Sequence, residues 1–192
     1  MCYSFEVSLG TGIASYVLGY ILFQRNLTEK EKQYVTAYLI ITSIQFADSI
    51  LWLSKMEKNL LNYIATSFLI PIILSMQVIY NIYVKNKFQK PHHVFLLASL
   101  SFYIFYRFNG YSKALCNNYF SSPVWGDNEI RLWELLLFTT VSNYPNWDTI
   151  AFFLTIILLI KHFINGAIGT WWCFIGAVLG LHLYFTLGIK KN

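Results

Sequence analysis

Long apolar segments recur along this sequence, each separated from the next by a short polar or charged stretch. The run "FFLTIILLI" is typical, because it has almost no polar face. A helix needs about 20 predominantly apolar residues to cross about 30 Å of hydrocarbon. A soluble domain could not bury this much apolar surface, since 56% of the 192 residues are hydrophobic and only 12% are charged. The sequence therefore predicts an integral, multi-pass membrane protein with an all-α fold.

Seven of these segments are predicted to cross the bilayer as a single helical domain, residues 1–192. The stretch 109–128 is rich in Gly, Pro, Asn and Ser, which predicts a loop. The segment after it is short and carries Arg131 and Glu134 in its first two turns, so a span, a re-entrant piece and an interfacial helix all stay open there. The predicted spans are residues 3–24, 35–53, 61–84, 94–108, 129–141, 148–163 and 168–187.

The placement of Lys and Arg favours seven crossings over six. With seven spans one side of the membrane holds eight of these residues and the other side six, whereas six spans give seven on each side. We therefore expect an N-terminus outside and a C-terminus in the cytosol. The first segment lacks a basic start, so we expect it to be retained rather than cleaved. The sequon Asn26-Leu27-Thr28 then faces the cytosol and should carry no glycan.

Polar side chains inside the predicted spans indicate where a functional site lies. A carboxylate in a span normally faces protein or water, because lipid solvates it poorly. Gln45, Asp48 and Trp52 are three and four residues apart, which places them on one helical face. Asp48 and Arg107 are expected to form a desolvated pair, either as part of a site or only to hold helices together. The predicted outward-facing cluster consists of Cys2, Glu6, Gln45, Asp48, Trp52, Arg107, Trp172 and Cys173.

The first span also carries a stripe of small residues, Ser8, Gly12, Ser15 and Gly19. Such a stripe lets two helices approach closely in a bilayer. We therefore expect a closely packed neighbour on this face. Pro71 lies in the middle of the third span and is predicted to act as a hinge.

Several classes of protein are excluded or disfavoured. The basic residues flank apolar segments instead of forming a patch, so no nucleic-acid partner is expected; the partners are the lipid bilayer and, as an open alternative, a second copy of the chain. The cysteines show no C-x-x-C spacing. No cofactor is expected: retinal needs a lysine in the last span, which has none before Lys190. A metal held by Cys2, Glu6 and Asp48 stays open as a minor alternative.

Three short motifs resemble a known family. They are the opening "MCYS", the core "IQFADSILWL" of the second span and "TWWCFIGAVLG" in the last one. The family consists of small polytopic membrane proteins of unknown function from bacteria, large DNA viruses and algae. Its members often have His before the Gln and Glu as the acid, where this chain has Ile44 and Asp48. The resemblance implies a multi-span helical fold and no established activity. Its matching positions here are Cys2, Ser4, Gln45, Asp48, Trp52, Trp172, Cys173 and Phe174.

Three functions are consistent with these patterns. The favoured one is a channel, a transporter or a small-ligand-binding membrane protein with an outward-facing polar cluster around Asp48. The second is a membrane-embedded enzyme acting on a lipid or using a metal, in which Cys2 gains a free amine beside its thiol once Met1 is removed. The third is a structural protein of a viral or organellar membrane. Whether the chain is an enzyme stays open, and a non-enzymatic function is favoured.

Overall fold

The computed structural model of the chain describes residues 4–84, 91–116, 121–127, 130–143 and 168–188. This part of the chain is mostly helical and contains one short β-hairpin. It includes three helices that are long and apolar enough to cross a membrane: Phe5–Phe23, Glu29–Leu53 and Leu60–Val84. The predicted helical class is confirmed, and these three helices, of sufficient length to cross a membrane, lie near the first three predicted spans. The predicted span 148–163 lies outside the described residues.

Helix α1 (Phe5–Phe23) packs along α2 (Glu29–Thr42) and α3 (Ile44–Leu53). A Cβ atom on Gly19 would lie 2.5 Å from the Leu39 Cδ2 atom, so the contact depends on the missing side chain. The predicted close approach is confirmed. The small residues that α1 buries are those of the predicted stripe, Ser8, Gly12, Ser15 and Gly19.

The second long helix begins earlier than predicted and is interrupted in the middle. Its start is fixed by a capping box, in which Thr28 and Glu31 satisfy each other's backbone N–H groups. At the interruption, Thr42 and Ser43 donate their hydroxyl groups to carbonyls of the preceding turn at 3.0 and 2.8 Å. Such bonds often bend a helix, which explains why the second long helix divides into α2 and α3 here.

The third long helix contains a π-helical turn. It runs through α4 (Leu60–Ile64), the π-turn (Ala65–Leu69) and α5 (Ile70–Val84). Pro71 has no N–H, so the carbonyl of Ser67 loses its α-helical donor. The wider turn directly before Pro71 is a known way to accommodate such a break. The helix is thus irregular where the sequence predicts a hinge, while hinge motion itself stays a prediction.

The remaining elements are α6 (Pro91–Arg107), β1 (Lys113–Cys116), β2 (Ser121–Val124), α7 (Leu132–Asn143) and α8 (Ile168–Thr186). Helix α6 begins with a proline, which is favoured at the first helical position. The two strands pair antiparallel, so the predicted loop contains a hairpin that composition alone did not reveal. The 12 residues of α7 extend over about 18 Å, less than the hydrocarbon thickness.

Two apolar clusters form the described core. The smaller one joins α2 to α8 through residues such as Val35 and Leu183. The larger one lies among α3, α5 and α6 and includes Leu51 and Val78. It also includes Trp125, which follows the hairpin. The segment between α6 and α7 therefore contributes Trp125 to the core, although other residues of it, such as Lys113, are exposed.

Candidate functional site

Asp48 lies on the buried side of α3, and its side chain is 0% exposed. Gln45, one turn earlier, is also buried, which confirms that the two residues share a face. Oδ1 of Asp48 accepts a hydrogen bond of 2.8 Å from the indole Nε1 of Trp125. The predicted pair of Asp48 with Arg107 is wrong, because Arg107 forms its ion pair with Glu134. An indole N–H satisfies a buried carboxyl oxygen without burying a second charge.

Trp125 enters the bundle directly after β2. Its side chain is 4% exposed, and its ring stands edge-on to that of Phe108 at a centroid distance of 6.4 Å. The next residue, Gly126, has a φ of +79°, which glycine adopts without strain. The Gly126 N–H donates to the Ser112 Oγ atom at 3.2 Å. The backbone around Trp125 is therefore fixed by contacts other than the bond to Asp48.

Ser112, just before β1, is bound to the third long helix by buried hydrogen bonds. Asn62 donates its Nδ2 to the Ser112 carbonyl and accepts from the Ser112 N–H, both at 2.8 Å. The hydroxyl groups of Thr66 and Ser112 lie 2.7 Å apart. Ser67, also in the π-turn, accepts from the Gly110 N–H at 3.0 Å. The π-turn thus presents two hydroxyl side chains that hold the start of the hairpin segment.

Arg107 and Glu134 join the end of α6 to the start of α7. The Arg107 Nε atom lies 2.6 Å from the Glu134 Oε1 atom, and the two side chains are 15% and 8% exposed. The Tyr103 hydroxyl donates to the same oxygen at 2.7 Å. The other oxygen accepts from the Arg131 N–H, as an acid at the third helical position does in a capping box. This carboxylate is therefore held by three donors.

An apolar pocket of about 60 Å³ lies beside this ion pair and is open on one side. We call it the α6–α7 pocket. Its polar edge is formed by Tyr103, Arg107 and Glu134, and the rest of its wall is almost entirely apolar. Enclosed apolar cavities can stay free of water and hold apolar ligands. The apolar wall includes Leu74, Leu100, Ile104, Phe108, Trp125 and Leu137.

Of the predicted site residues whose side chains the structure describes, Arg107 alone lines this pocket. Glu6 is exposed in the first turn of α1. Trp52 is partly buried, and its indole N–H has no hydrogen-bond partner among the described residues. Cys2 lies outside the described residues, as do the side chains of Trp172 and Cys173, although α8 includes their backbone. Of the predicted cluster, the structure places Gln45 and Asp48 together and connects Asp48 to the pocket through Trp125.

Sequence reasoning missed three residues of this site. Trp125 is a large aromatic residue in the polar stretch "SSPVWGDN", and an indole there signals a buried anchor. Glu134 is a carboxylate within the apolar run "LWELLLF", and a carboxylate in such a run usually pairs with a cation. Tyr103 precedes Arg107 by one helical turn, so both can reach one acceptor.

Within the described ranges, no group of three or more His, Cys, Asp or Glu residues could hold a metal ion. No family model, no curated protein and no solved structure matches the chain. The resemblance to the family of small polytopic membrane proteins stays a prediction.

Proposed function

We propose that the chain is a multi-pass membrane protein that binds the end of a lipid alkyl chain in the α6–α7 pocket. The observation that supports this function is the almost wholly apolar pocket, open on one side, with a single polar edge at Arg107 and Glu134. Small-ligand sites usually combine a mostly apolar wall with a few fixed polar groups. The proposal keeps the expected ligand binding and moves its location from Asp48 to the pocket. A channel or transporter stays an untested alternative.

The surface around the pocket favours a lipid as the ligand. Phe102 and Tyr106 of α6 are 76% and 74% exposed, and Trp133 and Leu137 of α7 are 48% and 42% exposed. An apolar surface of this kind is unfavourable in water but is solvated by lipid chains. Leu137 belongs both to this surface and to the pocket wall. An alkyl chain lying on α6 and α7 would therefore pass the pocket opening.

The volume of the pocket limits what it can hold. An apolar cavity of about 150 Å³ takes one benzene molecule. By proportion, the pocket of about 60 Å³ takes two or three carbon-sized groups. It therefore fits the end of an alkyl chain, while the remainder of the lipid stays outside. At the polar edge, Tyr103 and Arg107 both donate to Glu134. Because these polar groups already satisfy one another, the end of the alkyl chain that enters the pocket need not carry a charge.

The test uses a phosphocholine lipid with a photoreactive diazirine at the end of its alkyl chain. The protein is reconstituted with this lipid, irradiated, digested and mapped by mass spectrometry. We expect labelling to be concentrated on peptides of α6 and α7 that line the pocket. In Leu100→Phe, whose larger side chain fills the pocket, this labelling should fall at least about tenfold, because the alkyl contact is lost.

Leu97→Phe is the matched control, because Leu97 is buried on the same helix but does not line the pocket. It should be labelled like the original chain. Labelling spread evenly over all lipid-facing helices, and unchanged in Leu100→Phe, would rule out a specific alkyl site. That result would favour the structural role, in which the polar contacts only hold helices together.

Seven spans, with the N-terminus outside and the C-terminus in the cytosol, are part of the proposal. In this topology Asn26 faces the cytosol, whereas the segment between α6 and α7 lies outside. Translation with microsomes should therefore leave Asn26 without a glycan. Phe120→Thr completes a sequon at Asn118, which should be glycosylated. A glycan on Asn26, in the original chain or in Phe120→Thr, would show that the orientation is the opposite of the proposed one.

A further inference from the structure

We propose that Asp48 is a positioning residue for the α6–α7 pocket and acts through Trp125, whose indole sets how bulky a chain end can enter. This inference rests on the proposed function. It assigns a role to Asp48, which does not itself line the pocket. It also makes Trp125 the specificity-determining residue of the site.

The indole of Trp125 takes part both in the hydrogen bond to Asp48 and in the wall of the pocket. Its Nε1 donates to Asp48 in the bundle interior at 2.8 Å, and its ring forms part of the pocket wall. Phe108, which meets the ring edge-on, lines the same pocket. A rotation of the indole away from Asp48 would therefore change the shape of the pocket.

The main chain on both sides of Trp125 is held by contacts that do not involve Asp48. On one side Val124 pairs with Lys113 in the hairpin, and on the other side the Gly126 N–H is bonded to Ser112. These bonds hold the main chain without help from Asp48. The carboxyl group therefore controls chiefly the side-chain orientation of Trp125. A buried indole N–H that loses its acceptor is driven to turn toward another one.

The backbone of Gly126 also places the indole beside the polar edge. A Cβ atom on Gly126 would lie 3.5 Å from both the Nη1 and the carbonyl oxygen of Arg107. The residue after Trp125 thus packs against the residue that pairs with Glu134. A shift of the indole would therefore affect both the wall and the polar edge of the pocket.

The test compares two diazirine phosphocholine lipids, one with a linear chain end and one with a branched tert-butyl end. With the original chain, the linear end should label the pocket about tenfold more than the branched end, because a narrow apolar site discriminates at the level of single methyl groups. Asp48→Asn keeps an oxygen acceptor for the Trp125 indole and should keep this preference. Asp48→Leu removes the acceptor and should reduce the preference to less than about twofold.

Trp125→Phe changes the donor of the Trp125–Asp48 hydrogen bond instead of the acceptor. It also provides a test if Asp48→Leu does not fold. It removes the donor, shortens the wall and should also abolish the preference. The double variant Asp48→Leu/Trp125→Phe should show the same labelling preference as Trp125→Phe, since Asp48 is proposed to affect the pocket through the indole. Folding of each variant is checked by size-exclusion chromatography and circular dichroism.

The outcomes separate the inference from the proposed function. If the original chain shows no pocket labelling, the proposed function fails and the inference fails with it. If labelling occurs and the linear preference survives in Trp125→Phe or in folded Asp48→Leu, the inference is overturned and the proposed function stands. A lower melting temperature with an unchanged preference would identify Asp48 as purely structural. Loss of the preference in Asp48→Leu with retention in Asp48→Asn is the supporting result.

Discussion

Replacing Glu134 by Gln removes the charge that faces Arg107 but keeps the shape of the side chain. The pair is mostly buried, with 15% and 8% of the two side chains exposed. Removing one partner of a buried pair typically costs about 3–5 kcal/mol, whereas an exposed pair contributes about 0–1 kcal/mol. The Gln oxygen can still accept from the Tyr103 hydroxyl. We therefore expect a loss near the lower limit, about 3 kcal/mol in the free energy of unfolding.

The physical cause can be tested by a second substitution. Arg107→Met alone leaves the Glu134 carboxylate buried without its cation and should be destabilising by a similar amount. Arg107→Met combined with Glu134→Gln buries no charge at this position. The double variant should therefore be more stable than either single variant, because buried pairs are often replaceable by uncharged side chains.

The assay is reversible unfolding in mixed micelles by titration with a denaturing detergent, followed by circular dichroism. The internal control is the exposed pair Lys32–Glu29, whose side chains are 48% and 85% exposed. Glu29→Gln should change the unfolding free energy by less than about 1 kcal/mol. If Glu134→Gln costs no more than Glu29→Gln, or if the double variant shows the sum of both single losses, an unpaired buried charge is not the cause of the destabilisation.

Three further changes are measured in the same assay. Gly19→Ala should be destabilising by about 1–3 kcal/mol, because its Cβ would lie 2.5 Å from Leu39, whereas Gly10→Ala meets nothing within 4 Å and should be neutral or stabilising; equal effects would contradict close packing at the stripe. Ser112→Ala should cost about 1–3 kcal/mol through the lost bonds to Thr66 and Gly126, and a neutral result would show that the hairpin is held otherwise. Thr28→Ala should cost about 1 kcal/mol by removing the capping box, and no loss would mean that this cap is not needed.

The sequence predicts those features that depend on composition and periodicity. The long helices follow from the length of the apolar runs, and the stripe through Gly12 and Gly19 follows from helical spacing. The shared face of Gln45 and Asp48 has the same origin. The early start of α2 was missed because its first turn is charged, and a hydropathy pattern does not register a charged turn that a capping box stabilises.

The partner of Arg107 could not be predicted in the same way. Several carboxylates were available, and helical spacing specifies a face but not which distant residue meets it. The predicted spans bring Asp48 to the same outer side as Arg107, yet the guanidinium pairs with Glu134 at the start of α7. The fold instead gives Asp48 a neutral donor, Trp125, from a stretch whose composition predicts a loop. The partner of Asp48 thus comes from the segment between α6 and α7, and the partner of Arg107 from the first turn of α7.

These polar contacts share one consequence for the segment between α6 and α7. Lipid chains solvate apolar helix surfaces, so apolar burial alone does little to fix how such elements meet inside a bilayer. Asn62 and Thr66 hold its beginning, Asp48 holds the indole in its middle, and Arg107 holds Glu134 at its end. The wall of the α6–α7 pocket is apolar, but hydrogen bonds and an ion pair fix the positions of the segments that form this wall. Substitutions at these polar positions should therefore change the shape of the pocket, even though most of these residues do not line it.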